Sequence, residues 1–143
     1  MKGMSMIIQE DLNSLNDWFQ INKLTVNVAK SNFIIFSEPH KDKPKNWKLT
    51  INQQKLEEVH TTKYLGVWLD KTLSWKDHIL KITEKIALSN QGMYRVRDYL
   101  PKHLLRMLYF AIIHSHINYC IPVWGTAVKS HMKKLKIMQK KTL

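Results

Sequence analysis

Apolar residues change their spacing twice along the chain. Over residues 9–20, Leu12, Leu15, Trp18 and Phe19 recur at helical intervals, and the acids Glu10 and Asp11 stand at the start, where a helix dipole favours them; the spacing predicts an amphipathic helix. Asn22-Lys23-Leu24 turns the chain, and Asn32-Phe33-Ile34-Ile35-Phe36 is an apolar run of strand length, so a buried strand is expected. Residues 38–46, with Pro39, Pro44 and three lysines, predict an exposed loop. Trp47, Leu49 and Ile51 alternate with Lys48 and Thr50, and Asn52-Gln53 turns into residues 54–59, which together predict a hairpin.

Residues 62–70 read as one nine-residue strand, with Leu65, Val67 and Leu69 on one face and Tyr64, Gly66 and Trp68 on the other. Both faces are apolar, so both should meet something, and the central Gly66 marks either a bulge or a close backbone approach by a ligand. Beyond Asp70 the period becomes helical. Ile79, Ile82, Ile86, Met93 and Val96 share a face, and Ser74 with Asp77 three residues on suits an N-cap, which predicts a long basic helix disturbed at Gly92. Pro101 suits the first turn of the next helix; residues 104–113, apolar almost all round, predict a buried central helix. A third helix over residues 130–143 places Met132, Leu135, Met138 and Gln139 inward and its lysines outward. The fold class is therefore α+β: an N-terminal helix and a small antiparallel sheet over residues 1–70, then a helical region over residues 71–143, with no internal repeat.

Charge sharpens that division. Residues 1–70 carry nine Lys/Arg against eight Asp/Glu, whereas residues 71–143 carry fourteen against three, so nearly all of the net +12 is C-terminal. Few i,i+4 partners exist for those cations, and their mutual repulsion calls for a polyanion. A nucleic acid fits, held mainly through phosphate and hence sensitively to salt. The candidate contacts are Lys63, Tyr64, Leu65 and Gly66 on the strand, with Lys76, Lys81, Lys85, Arg95 and Arg97 on the basic helix; the aromatic rings Tyr64 and Trp68 suit stacking.

Other chemistry finds little support. The adjacent acidic pairs Glu10-Asp11 and Glu57-Glu58 fall at a helix start and on the solvent side of a hairpin, where the dipole and solvation explain them, and neither has the third carboxylate that metal-assisted catalysis needs. His114 and His116 stand two apart beside Cys120, whereas zinc ligands on one helix face favour three or four, so helix-end packing is expected. The single Cys120, with apolar neighbours, excludes an intrachain disulfide, predicts a buried thiol of low reactivity and is consistent with a reducing, intracellular setting. Four scattered glycines make no phosphate loop. The longest apolar stretch, residues 107–113, is far below the roughly 20 residues that span a bilayer, and no membrane partner is expected.

Several runs together resemble one family. Leu15-Asn16-Asp17-Trp18-Phe19, the stretch from Asn22 to Phe36 with Asn27-Val28-Ala29-Lys30-Ser31, Thr62-Lys63-Tyr64-Leu65-Gly66-Val67, Leu73-Ser74-Trp75-Lys76-Asp77-His78-Ile79, and Tyr119-Cys120 with Val123-Trp124-Gly125 resemble reverse transcriptases of non-LTR retrotransposons, particularly jockey-like elements, just after their catalytic acids. The resemblance implies that residues 1–70 are part of the palm and residues 71–143 a thumb. It implies that Asn27 and Lys30 lie near the incoming nucleotide, with Lys30 as general acid toward the pyrophosphate and Ser31 where Thr is commoner. It further implies that Tyr64-Leu65-Gly66 is the primer grip and that the partner is an RNA–DNA hybrid or an RNA template with a DNA primer. The aspartates that hold two Mg²⁺ ions in the intact family enzyme have no counterpart in this chain. The expectation is a fragment without a cofactor of its own, inactive as a polymerase alone and dependent on polymerase domains supplied by a longer product. The alternative is a non-catalytic interaction module derived from a retrotransposon.

Overall fold

The computed structural model describes residues 2–38 and 47–141, so the loop expected over residues 38–46 lies, apart from Glu38, outside the described residues. The chain divides into two compact units, Met1–Thr62 and Lys63–Leu143.

The first unit opens with α1 (Lys2–Ile21), which begins earlier than the apolar spacing predicts. Leu12 and Phe19 are half-buried, but Leu15 and Trp18, expected on the same covered face, are exposed. A 3₁₀ turn, Val28–Lys30, leads into β1 (Asn32–Phe33). The five-residue buried strand expected there shortens to two residues, and Phe36 is exposed. The hairpin forms as expected between β2 (Thr50–Ile51) and β3 (Gln54–Lys55), with Thr50 opposite Lys55. Asn52 and Gln53 both have positive φ, 52° and 62°, the geometry of the two-residue turn that matches strand twist. β4 (Glu57–Glu58) pairs with β1 in parallel, which departs from a single small antiparallel sheet; both glutamates are exposed.

Leu49, Ile51 and Leu56 form the buried centre of this unit, with Ile8, Leu12, Val26, Val28, Phe33 and Trp47 packed around them. Gln9 ties α1 to the hairpin: its amide donates to the Thr50 carbonyl and its oxygen accepts from the Thr50 N–H, both at 2.9 Å. One side chain thus satisfies both backbone groups of Thr50.

The nine-residue strand expected over residues 62–70 is instead a hairpin, β5 (Thr61–Tyr64) and β6 (Val67–Asp70). Leu65 and Gly66 are its turn, with φ of 45° and 86°. Gly66 therefore sits at a hairpin tip and not in a bulge, and the two-faced alternation fails because the chain reverses there. Val67 is buried, whereas Leu65 is 74% exposed.

The rest of the second unit is helical, so the α+β class holds. α2 (Lys76–Val96) runs unbroken through Gly92 for nearly six turns. Its buried face is Ile79, Ile82 and Ile86, with Met93 packed on the same cluster. Then come α3 (Lys102–Leu108), preceded by Pro101, a π-helical turn at Tyr109–His114, α4 (Ser115–Asn118), α5 (Ile121–Trp124) and α6 (Lys129–Lys140). The helix expected to be buried all round across residues 104–113 presents only Tyr109 and Ile113 to the core; Met107, Phe110 and Ile112 are exposed. The core joins Ile79, Ile82, Ile86, Tyr109, Ile113, Trp124 and Leu135, with Met132 and Met138 beside it, as the third helix predicts. The Trp124 side chain is fully buried at 0% exposure.

Ser74, the expected N-cap of α2, plays a lesser part. The Asp70 carboxylate accepts the N–H groups of Thr72 at 3.2 Å, Ser74 at 3.1 Å and Trp75 at 3.0 Å, together with the Thr72 hydroxyl. This loop holds Leu73 and Trp75 at φ of 52° and 62°, a region costly for side chains of their size. Asp70 offsets that strain and fixes where α2 starts.

Candidate nucleic-acid interface

The hairpin tip and α2 build one groove in the second unit. Leu65 at φ 45° is strained, and the Tyr119 hydroxyl donates to its carbonyl at 2.6 Å. A Cβ on Gly66 would lie 3.1 Å from Tyr119 Cε1, in a backbone conformation that disfavours any side chain. The tip is therefore seated on the Tyr119 ring, and glycine is what lets it approach.

A second set of bonds holds Tyr119 and the hairpin in register. The Trp124 indole donates to the Tyr119 carbonyl at 2.7 Å, the His78 ring stands edge-on to Trp124 at 5.4 Å, and the Trp68 N–H donates to His78 Nδ1 at 3.3 Å. The path runs from β6 through α2 and α5 back to the tip. It makes His78 the Nε2–H tautomer. That Nε2 is buried with no partner among the described residues. Burial, and then the charge of Lys85, hold the His78 pKa below its ordinary value, so the ring is neutral at pH 7.

Between the hairpin and α2 lies a groove of about 280 Å³. Lys63, Gly66 and Trp68 line it from the hairpin, Lys81 and Lys85 from α2, and His116 and Tyr119 from the far side. All three lysines are exposed. Glu84 stands in the same wall, 3.1 Å from Lys81 Nζ in an exposed pair worth little in water. A phosphate would compete well for Lys81 there.

Of the residues singled out in the sequence, the structure brings Lys63, Gly66, Lys81 and Lys85 to this groove. Tyr64 and Leu65 are exposed at the tip outside its wall. Lys76 opens α2, exposed and away from the groove, and Arg95 and Arg97 lie at the helix's other end in separate concavities. Lys30 is in the first unit, exposed at the end of the 3₁₀ turn. There the Asn27 side chain accepts the Lys30 N–H at 3.2 Å, and the Ser31 hydroxyl donates to the Asn27 carbonyl at 2.9 Å. Asn27 thus shapes the turn that presents Lys30. The sequence marks His116 for helix-end packing and carries His78 and Tyr119 within the family-like runs, but it points to none of the three as part of this groove. His78, Lys81 and Lys85 do share a helical stripe, but Tyr119 reaches Leu65 across 54 residues, which no local pattern encodes.

The carboxylates do not fit a divalent metal: among the described residues no three His, Cys, Asp or Glu side chains group together, and Asp70 is engaged by its own loop. No helix among them is long and apolar enough to cross a membrane.

A tip seated on a tyrosine beside a lysine-lined groove is a surface suited to a polynucleotide backbone, and the relatives of this chain are polymerases of nucleic acid, the reverse transcriptases of non-LTR retrotransposons. Over 139 residues, 95% of this chain, it is 28% identical to the RNA-directed DNA polymerase from mobile element jockey of Drosophila funebris. It is 27% identical over 140 residues to the jockey polymerase of Drosophila melanogaster, and 25% identical over 137 residues to the probable RNA-directed DNA polymerase from transposon X-element of that species. The chain spans about 15% of the length of these relatives. No family model matches it, and no solved structure does.

Proposed function

We propose that this chain is a palm and thumb portion of an RNA-directed DNA polymerase from a mobile element, and that its own capacity is to hold the backbone of an RNA–DNA template–primer. The observation that carries this is the convergence of Lys63, Lys81 and Lys85 on a groove beside the hairpin tip. Ammonium groups around a concave, low-dielectric wall attract phosphate and carry no base information, which suits a duplex that must slide. Tyr64 and Leu65 at the tip form the ledge for the primer end. Lys30, presented by its capped turn, donates a proton to the departing pyrophosphate once other polymerase domains supply the Mg²⁺-binding acids. The chain alone does not polymerise.

The test is binding of a labelled RNA–DNA hybrid to the full chain over a salt series, with nucleotide incorporation assayed alongside. Submicromolar binding that weakens steeply with salt, without incorporation, is the expected result. Replacing Lys81 and Lys85 together by alanine should lower the slope of log affinity against log salt by roughly 2. Weak, salt-insensitive binding contradicts the proposal.

The first unit favours a second reading. Met4, Ile7, Leu15, Trp18, Ile21 and Leu24 are exposed there, a density of apolar side chains that suits a protein neighbour. Such a neighbour is either the rest of a polymerase or, for an interaction module, an unrelated protein.

A further inference from the structure

α2 carries a second concavity that the groove does not explain. Lys81 and Asn90, like Lys85 and Tyr94, are nine residues apart, about two and a half turns, so Asn90 and Tyr94 face the opposite side of the helix from the groove lysines. A pocket of about 570 Å³ opens there, with Tyr94 of α2, Arg97 just after it, Lys102 and Arg106 of α3, Phe110 of the π turn and Lys141 in its lining. Among the described residues, no acidic one lines it. The Arg97 guanidinium stands 4.1 Å from the Tyr94 ring centre and that of Arg106 5.8 Å from the Phe110 ring centre, so each ring is paired with a cation. Arg97 also meets Asp98 at 3.4 Å in an exposed pair that an incoming phosphate would outbid. At the floor Tyr109, only 7% exposed, accepts from the Gln139 amide at 2.8 Å and keeps its own hydroxyl proton for an acceptor.

An adjoining depression of about 460 Å³ shares Asn90, Tyr94 and Lys141 with this pocket and adds Arg95. Two concavities in series with a common wall form a track longer than one small molecule needs. Rings flanked by guanidinium groups offer flat apolar surface beside fixed positive charge, the two things a nucleotide presents to match once its base is unpaired. Inside a duplex the base faces are already stacked, so a duplex cannot use the pocket.

We propose that this track binds single-stranded nucleic acid, with one unpaired base against Tyr94 and Phe110 and the neighbouring phosphates on Arg97, Lys102 and Arg106 to one side and Arg95 to the other. The proposal rests on the reading of the chain as a nucleic-acid binder but places a second site away from the hybrid groove. An unpaired template strand and a paired hybrid then occupy opposite sides of α2.

The test is fluorescence anisotropy of a labelled eight-nucleotide oligo(U) RNA with the full chain, with and without saturating unlabelled RNA–DNA hybrid, using the wild type, Tyr94→Ala and Arg106→Ala. Tyr94 is 65% exposed, so its truncation spares the core, and circular dichroism of each variant checks the fold. The expected result is oligo(U) binding that persists under hybrid, weakens roughly five- to hundred-fold in Tyr94→Ala, weakens in Arg106→Ala, and leaves hybrid affinity within about twofold. Uridine monophosphate should bind far more weakly than the oligomer, and an oligo-glutamate peptide should not compete. Unchanged oligo(U) binding in both variants, full displacement by hybrid, or equal competition by oligo-glutamate overturns the proposal. Oligo(U) binding without hybrid binding would sink the template–primer reading and leave the track standing.

Discussion

The two units contrast in how they use apolar surface and charge. Residues 1–62 are nearly neutral, with eight Lys/Arg against seven Asp/Glu, and residues 63–143 carry fifteen against four. The neutral unit buries Leu49, Ile51 and Leu56 and leaves the tryptophan of α1, Trp18, 53% exposed. The basic unit encloses Trp124, Ile86 and Ile113 completely. The unit that repels itself electrostatically is the one with the stronger core. Burial of several large side chains, each contributing roughly 1.5–3 kcal/mol, tolerates a field that a thin core would not. The first unit needs no such reserve for charge, but its uncovered apolar face needs a neighbour.

The largest expected effect breaks the contrast at its root. Trp124→Ala should cost about 3–5 kcal/mol in urea unfolding of the full chain, because it empties a fully buried site and frees the Tyr119 carbonyl. Trp18→Ala should cost no more than about 1 kcal/mol, as the side chain is 53% exposed. Similar costs for the two would erase the distinction.

Next comes the loop before α2. Asp70→Ala should cost about 2 kcal/mol by the same measurement, since it orphans the N–H groups of Thr72, Ser74 and Trp75 while Leu73 and Trp75 keep their positive φ. Burial raises the Asp70 pKa, but the hydrogen bonds from Thr72, Ser74 and Trp75 outweigh it and hold the carboxyl below its ordinary value. This contribution is present above the unfolded carboxyl's pKa of about 4 and is lost as pH falls through the lower folded value. Urea unfolding midpoints of wild type and Asp70→Ala, measured over a pH series, should therefore converge as pH falls.

A smaller effect belongs to the tip. Tyr119→Phe removes the bond to the Leu65 carbonyl and keeps the ring under Gly66, so it should lower stability less than Asp70→Ala does and speed hydrogen exchange around residues 64–67. Smallest is the response of His78 to mild acid. Its pKa is lowered in the folded chain, so the unfolded state takes up the proton first, and the melting temperature should drift down as pH falls below about 6.5. His78→Gln should flatten that drift.

The sequence made the helices legible because their apolar residues repeat at helical spacing over many turns, as in Ile79, Ile82 and Ile86 or Met132, Leu135 and Met138. It hid the hairpin at residues 61–70 because Leu-Gly is not the usual Asn-Gly turn, and unbroken apolar alternation imitates a strand. What holds Leu65 in the turn is Tyr119, a tertiary partner. Residues 104–113 misled in the other direction: apolar residues all round promised burial, yet the π turn directs only Tyr109 and Ile113 inward. Of the candidate interface, the charge pattern pointed to Lys63, Lys81 and Lys85, which the fold brings to one groove. The seat beneath them, Tyr119, Trp124 and His78, depends on packing that only the folded chain displays.

On the proposed function, the basic unit grips the hybrid's backbone at the tip and the groove lysines. Photocrosslinking an iododeoxyuridine-containing RNA–DNA hybrid to the full chain, followed by peptide mapping, tests it most directly. Adducts are expected at Tyr64 and on the stretch bearing Lys81 and Lys85, suppressed by salt. Adducts confined to residues 1–62, or scattered evenly over the whole chain, would contradict it.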